Sequence, residues 1–321
     1  MHLSLVMPCY NEAENVEAMH DAIVATFQGC GFDYEMVFVD DGSKDETYAK
    51  LKAIHETSPQ AIRVVSFSRN FGKESALYAG LQYATGDYIT LIDADLQHPP
   101  ALALEMVRYL DEHKEFDCVA AYQERRQESD GIVFLKNGFY RLMNRLTEIE
   151  FVQGASDFRT MRREMAQAVL SLCENNRFTK GIYSWVGFHT HYIPYLAHER
   201  NAGTTKYSTL KLFKLAFNGI ISFSAAPLRL AALAGVFSAL LALVYMMVVI
   251  VQKLFFGIPV PGYATLAVLI LLLGGIQLLC LGIVGEYLAK TYEESKRRPI
   301  FVARRILEPK QGTGIRNQES G

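Results

Sequence analysis

Apolar and polar positions fall into short alternating blocks over roughly the first 120 residues. Residues 3–7 are an apolar run ending at Pro8. Val16, Met19, Ile23 and Phe27 recur at helical spacing, which predicts a helix over 15–27. Residues 35–39 form a second apolar run, ending at Asp40-Asp41-Gly42-Ser43. A helix over 45–56, a strand over 62–67, a helix over 73–84 and a strand over 88–92 follow, the last ending at Asp93-Ala94-Asp95. A helix over 100–110 and a strand over 118–121 complete the series. Strands alternating with helices predict an α/β domain with a mostly parallel sheet covered by helices. Ligands of such sheets sit at the carboxyl ends of strands, where the polar clusters fall.

The pattern changes after residue 225. Residues 230–252 carry no charge. As a helix this run is roughly 34 Å long, enough for a hydrocarbon core of ~30 Å. Residues 265–285 are a second such run after a short turn containing Pro259 and Pro261. Two successive charge-free runs favour a transmembrane hairpin over a buried core hairpin. In the preceding 208–226, Leu210, Phe213, Phe217 and Ile220 recur at helical spacing with Lys211 and Lys214 between them. This predicts a basic amphipathic helix lying in the headgroup layer, with a packed surface helix as the alternative.

Lys206, Lys211, Lys214 and Arg229 precede the first run. Lys290, Lys296, Arg297, Arg298, Arg304 and Arg305 follow the second, and the turn holds only Lys253. The positive-inside rule places both flanks, and so both termini, in the cytoplasm. The expected divisions are a catalytic domain over 1–207, an interfacial helix over 208–228, two membrane helices within 229–289 and a basic tail over 290–321. The tail reads as disordered after Pro309.

Composition adds limits. Formal net charge is −2, so no global basic field favours a nucleic-acid partner. The five cysteines form no C-x-x-C pair and read as free thiols of a reducing compartment. No secretory leader pattern opens the sequence, which keeps the α/β part cytosolic by expectation. Homo-oligomerisation is left open.

Neither a G-x-G-x-x-G fingerprint nor a P-loop follows the first strand. Asp93 and Asp95, two apart in extended geometry, would face one site. Two carboxylates there suit Mg²⁺ or Mn²⁺, hard cations that bridge diphosphate oxygens, and Gln97 would add a carbonyl oxygen. A lone D-x-D is weak, and Asp-Gly-Ser is ordinary turn chemistry. Both at strand ends of one sheet are stronger together. His98 reads as structural or functional with little to separate the two, and His189 and His191 read as structural.

The order and spacing of four clusters carry a resemblance. Pro8-Cys9-Tyr10-Asn11-Glu12, Asp40-Asp41-Gly42-Ser43, Arg69-Asn70-Phe71-Gly72-Lys73 and Asp93-Ala94-Asp95-Leu96-Gln97-His98-Pro99 resemble the successive motifs of family 2 glycosyltransferases of GT-A (Rossmann-like) fold. The likeness narrows to polyprenyl-phosphate glycosyltransferases, the group of dolichyl-phosphate mannose synthase and bactoprenol glucosyltransferase. It continues through Ser156-Asp157-Phe158-Arg159, through Arg200 to Lys206-Tyr207, and into the apolar hairpin.

The resemblance implies roles for these positions. Pro8, Tyr10, Glu12 and Asp41 would line the base and ribose pocket, with Lys73 and Asp93 also on the donor side. Asp93, Asp95 and Gln97 would hold Mg²⁺ or Mn²⁺. Asp157 would face the sugar or acceptor. Arg200 and Lys206 would contact phosphate, and Arg125, Arg126 and Lys136 fall where the family binds acceptor phosphate. The implied partners are a nucleotide-sugar donor, polyprenyl (undecaprenyl) phosphate and membrane lipid, with UDP-glucose as default and UDP-linked amino sugars and GDP-mannose open. The implied reaction inverts configuration. A processive polysaccharide synthase is disfavoured because Q-x-x-R-W is absent: the single tryptophan, Trp185, is preceded by Tyr183-Ser184. A scaffold that merely keeps the fold would be expected to lose Asp93, Asp95 or the Arg-Asn-Phe-Gly-Lys cluster, and all are present.

Overall fold

A computed structural model describes residues 1–58, 60–123, 155–175, 177–195, 224–256 and 262–310. In chain order the elements are β1 (His2–Cys9), α1 (Val16–Phe27), β2 (Asp33–Asp40), α2 (Thr47–Thr57), β3 (Ala61–Phe67), α3 (Lys73–Tyr83), β4 (Tyr88–Leu91), α4 (Pro100–Glu112), β5 (Cys118–Gln123) and β6 (Ala155–Arg162). They continue with α5 (Arg163–Ser171), α6 (Thr179–Trp185), β7 (Thr190–Tyr195), α7 (Ala226–Phe256), α8 (Tyr263–Ser295) and β8 (Ala303–Leu307). The interfacial segment over 208–223 lies outside the described residues. Positions 226–228 belong to the first turn of α7.

Among the described residues the strands form one eight-stranded sheet in the order β7-β5-β6-β4-β1-β2-β3-β8. Its centre, β4-β1-β2-β3, is parallel, as is β5-β7. β6 runs antiparallel to β4 and β5, and β8 antiparallel to β3. β1 is buried on both faces because helices cover both. On one face Leu3, Leu5 and Met7 join Val16, Met19, Ile23 and Phe27 of α1 and Met106, Val107 and Leu110 of α4. Each such fully buried side chain contributes roughly 1.5–3 kcal/mol. On the other face α3 lies so close that a Cβ on Gly80 would meet Val6 Cγ1 at 2.1 Å.

β8 corrects the reading of 290–321 as a tail. Val64 pairs with Leu307 and Ser66 with Arg305, so this segment is the outer strand of the sheet. Arg63 Nε lies 2.9 Å from Glu308 Oε2, and His55 Nε2 lies 2.8 Å from the Glu308 carbonyl oxygen. Arg304 and Arg305 read as membrane-flanking charge, and Ala303–Leu307 carries no period-2 alternation to mark a strand. The chain after α8 thus returns to the sheet that precedes α7.

Helices α7 and α8 form a separate unit. Cys280 Sγ approaches the Ala231 carbonyl oxygen at 3.5 Å, and Tyr287 Oη donates to the Ser224 carbonyl oxygen at 2.6 Å. Tyr245 shares a groove with Thr265, Val268 and Leu269. Contacts that advance along one helix as they retreat along the other make an antiparallel hairpin. Stretches of 27 and 28 residues within the pair are long and apolar enough to cross a membrane. α8 runs on to Ser295, beyond the apolar run expected to end near 285.

Candidate active site

The loops after β1, β2, β3 and β4 and the start of β6 meet at one end of the sheet. The first loop leans on the second. Asn11 (φ 55°) donates its N–H to Ser43 Oγ at 3.0 Å and accepts from the Lys44 N–H at 2.9 Å. Glu12 donates its N–H to Thr47 Oγ1 at 2.9 Å. Tyr10 stays 41% exposed, able to meet a planar ligand, and Pro8 is half-buried within β1.

Asp41 is buried at 3% exposure and braces the third loop. Its two oxygens accept the N–H groups of Phe71 (2.6 Å) and Gly72 (2.9 Å). Burial pushes the Asp41 carboxyl up, and those two amides pull against it. Gly42 next door has φ +66°, and a Cβ there would lie 2.4 Å from the Arg69 carbonyl carbon. Only glycine lets the second and third loops touch so closely.

The third loop delivers Lys73, the first residue of α3. Its Nζ lies 2.6 Å from Asp93 Oδ1 and 3.2 Å from Asp157 Oδ2. Desolvation of the ammonium opposes its charge, but the two carboxylates outweigh it and hold Lys73 well above the ordinary lysine range. Asp157 stands on β6, two residues before its ladder with β4 begins at the Arg159–Leu91 pair. Burial alone would raise the Asp157 carboxyl. Lys73, Lys180 and Arg159 instead lower it to about 2.

The D-x-D geometry differs from the extended expectation. The ladder ends at β4, Leu96 turns left-handed (φ 60°), and the two carboxylates divide. Asp93 keeps 28% of its side chain exposed, while Asp95 is buried at 8%. Asp95 Oδ1 accepts the Gln97 N–H at 3.2 Å, closing a turn around the pair. Side-chain alternation holds for a strand and is lost in a turn.

Beneath this turn lies His98, 5% exposed. Its ring stacks on Phe158 at 4.8 Å, and Nε2 meets Tyr195 Oη at 3.0 Å and Ser156 Oγ at 3.2 Å. Nδ1 has no hydrogen-bond partner and lies 3.9 Å from Asp93 Oδ2. Burial lowers the imidazole pKa, against the pull of Asp93 and Asp95, so the ring is neutral near pH 7. Asp157 Oδ1 is also buried without a hydrogen-bond partner. Such orphaned buried polar atoms cost free energy unless a ligand satisfies them.

Glu74 was not singled out from the sequence. Burial and the nearby Asp157 raise its carboxyl to about 7, opposed by the Thr179 N–H, Lys73 and Arg177. It accepts the Thr179 N–H at 3.0 Å and the Thr179 hydroxyl, fixing the start of α6. α6 supplies Lys180 to the field at Asp157 and sets the Tyr183 ring 3.7 Å from the Arg159 guanidinium. No motif distinguishes Glu74; its position beside Lys73 was the available signal. His191, read as structural, stacks on Tyr109 at 4.4 Å, while His189 is exposed and its backbone N–H donates to Asp117 Oδ2 at 3.0 Å.

Arg125, Arg126, Lys136, Arg200 and Lys206 lie outside the described residues. The structure brings together Asp93, Asp95, Gln97, Asp157, Lys73 and Asp41, with Pro8, Tyr10 and Glu12 on the adjoining loop.

Comparison with known proteins bears on this arrangement. Residues 4–170 match the family described as Glycosyl transferase family 2. The chain belongs to that family. Residues 226–291 match a second family, the GtrB C-terminal hairpin. Family 2 membership makes the protein a glycosyltransferase of GT-A fold, and the second match covers α7 and most of α8. A prophage bactoprenol glucosyl transferase homolog of Escherichia coli (strain K12) is 39% identical over 309 residues, covering 95% of this chain and 99% of its own. The bactoprenol glucosyl transferase of Shigella phage SfV is 39% identical over 305 residues, covering 94% and 98%. Among solved structures, mannosyl-3-phosphoglycerate synthase from Rubrobacter xylanophilus aligns at 22% identity with a TM-score of 0.46, covering 68% of this chain and 71% of that one.

Proposed function

We propose that this family 2 glycosyltransferase moves a hexose, glucose by default, from a nucleoside-diphosphate sugar, UDP by default, onto a polyprenyl phosphate at the cytoplasmic membrane face. The observation that carries the reading is the meeting of Asp93, Asp157 and Lys73 at one end of the sheet, with Asp95 on the same turn as Asp93, in a chain that also holds a membrane-length hairpin. The names of the bactoprenol relatives support the acceptor class and the sugar.

The donor set fits a divalent cation. Asp93 presents oxygens already occupied by an ammonium, so the position attracts positive charge. Asp93 and Asp95, with the Gln97 side-chain carbonyl, would hold Mg²⁺ or Mn²⁺, hard cations that take oxygen ligands. When bound, the ion offsets charge developing on the leaving diphosphate. Tyr10, Pro8, Glu12 and Asp41 would border the base and ribose. The acceptor's phosphate oxygen attacks the anomeric carbon as the bond to the donor's β-phosphate oxygen breaks, and the nucleoside diphosphate leaves. A single displacement inverts configuration. A phosphate monoester is largely ionised at neutral pH, its second pKa being ≈ 6, so little base catalysis is needed. Asp157, ionised, orients sugar or acceptor through its unpaired oxygen. Arg200 and Lys206, with Arg125, Arg126 and Lys136, would supply the cationic field for the lipid phosphate.

The return of β8 to the catalytic sheet supports the topology. Segments on either side of the hairpin share one sheet, so they lie on one side of the membrane. Basic flanks favour the cytoplasmic side.

Radiolabelled transfer from UDP-glucose, UDP-linked amino sugars and GDP-mannose to undecaprenyl phosphate, with and without EDTA, tests the reading. EDTA-sensitive formation of a lipid-linked hexose is expected, and Asp95→Ala should abolish it. Transfer that persists in EDTA removes the metal role, and absence of any lipid-linked product removes the acceptor assignment.

A further inference from the structure

The sheet edge opposite β7 carries a second feature. β8 joins β3 with an irregular register between Ser66 and Phe67, just where β3 enters the loop that reaches the site. Ser68 donates its N–H to the Val302 carbonyl oxygen at 2.9 Å. Immediately before it, Phe301 stacks on Phe67 with centroids 4.9 Å apart and planes 19° apart. Phe67 meets Phe71 edge-on at 5.7 Å, and the Arg69 guanidinium covers the Phe71 ring at 4.1 Å. Phe301 also meets Tyr78 and Tyr83 of α3 at 6.4 Å each.

These contacts surround the residues that hold the site. The amides of Phe71 and Gly72 are those bound by Asp41, and α3 begins with Lys73. Phe301 therefore touches Phe67 at the root of the 68–72 loop and the helix that the loop feeds. Aromatic pairs of this geometry contribute beyond their buried area, and bulges near active sites re-aim side chains.

We propose that Phe301, delivered by the segment that follows α8, is a positioning residue for the donor site. It keeps Phe67 and Phe71 in register so that the 68–72 loop stays seated on Asp41 and Lys73 stays aimed at Asp93 and Asp157. The donor site is thereby completed by a part of the chain that arrives only after the second apolar helix. The proposal rests on the donor-site reading above.

The test uses the full chain in detergent. Two readouts are taken on wild type, Phe301→Ala, Phe301→Leu and Glu308→Ala: hydrogen exchange of the Phe71 and Gly72 amides, and KM and kcat with UDP-glucose and undecaprenyl phosphate. Phe301→Ala should speed exchange at these amides by ~10-fold and raise KM for UDP-glucose ~3–10-fold, with acceptor KM within about twofold. Phe301→Leu, which keeps most of the volume, should fall between. Glu308→Ala loosens the far end of β8 through Arg63 and should lower thermal stability with donor KM unchanged.

Unchanged exchange and donor KM in folded Phe301→Ala would overturn the proposal. So would an equal rise in KM for Glu308→Ala, since the effect would then be general loosening of the edge. If Phe301→Ala fails to fold, Phe301→Leu decides: a donor KM equal to wild type with unaltered exchange refutes the idea. Should wild type transfer nothing from UDP-glucose, the function reading fails, and the exchange arm still decides whether Phe301 seats the loop.

Discussion

Lys73 and Asp93 form an ion pair at 2.6 Å that ties the first residue of α3 to the loop after β4. The same ammonium reaches Asp157 on β6, so one side chain spans three separate elements. Replacing Lys73 with Met should leave two carboxylates facing one another without their shared cation. kcat/KM should fall by at least ~10²-fold, the scale seen when a preorganised charge is removed. The acid limb of the pH–rate profile should also move upward, because the Lys73 ammonium does most to hold Asp157 low against burial. Lys73→Arg should retain part of the activity. Steady-state kinetics across pH checks both statements.

Gly42 marks a closure that no larger residue can make. With φ +66° and backbone atoms of Arg69 and Asn70 at 2.4–2.8 Å from any Cβ, Gly42→Ala must push the second and third loops apart. Stability should fall by ~2–4 kcal/mol. Donor KM should rise with it, since Asp41 would lose its grip on the 71–72 amides. Thermal melts and UDP-glucose kinetics on the purified variant measure these effects.

Glu74 should give the protein an uncommon pH dependence. Its folded carboxyl lies near 7 against an ordinary 4.5, so the folded state holds a proton that the unfolded state has lost. This term favours folding most below about pH 4.5 and is lost as pH rises towards 7. Asp157 has the opposite sign and a lower window, its contribution disappearing as pH falls from 3.8 towards 2. Glu74→Gln should therefore flatten the decline in melting temperature between about pH 4.5 and 7. A decline that persists in the variant would place the responsible proton elsewhere.

Topology can be read with reporters. A tag inserted within 257–261 should be accessible only from outside the cytoplasmic membrane, and a tag after residue 310 only from the cytoplasm. The second result follows from β8, which must pair before the catalytic sheet is complete. A cytoplasmic signal from the 257–261 tag would rule out the hairpin crossing.

By itself the sequence determined the alternation of strands and helices, the two apolar runs and the clusters at the strand ends. Those are local properties: side-chain periodicity reports which face is buried, and length with absence of charge reports fitness for a hydrocarbon core. The spacing of the Asp93 and Asp157 motifs was equally legible. Only the tertiary structure decided that Lys73 binds both, that Asp41 seats the 71–72 amides, and that Asp93 and Asp95 differ in exposure across a turn. It also decided that Glu74 anchors α6 and that residues 303–307 close the sheet beyond β3. In each case the partners lie far apart in sequence or the backbone leaves regular geometry. Pairing of that kind is set by how strands order in the sheet and how loops pack at its end, and no local pattern of residues records it.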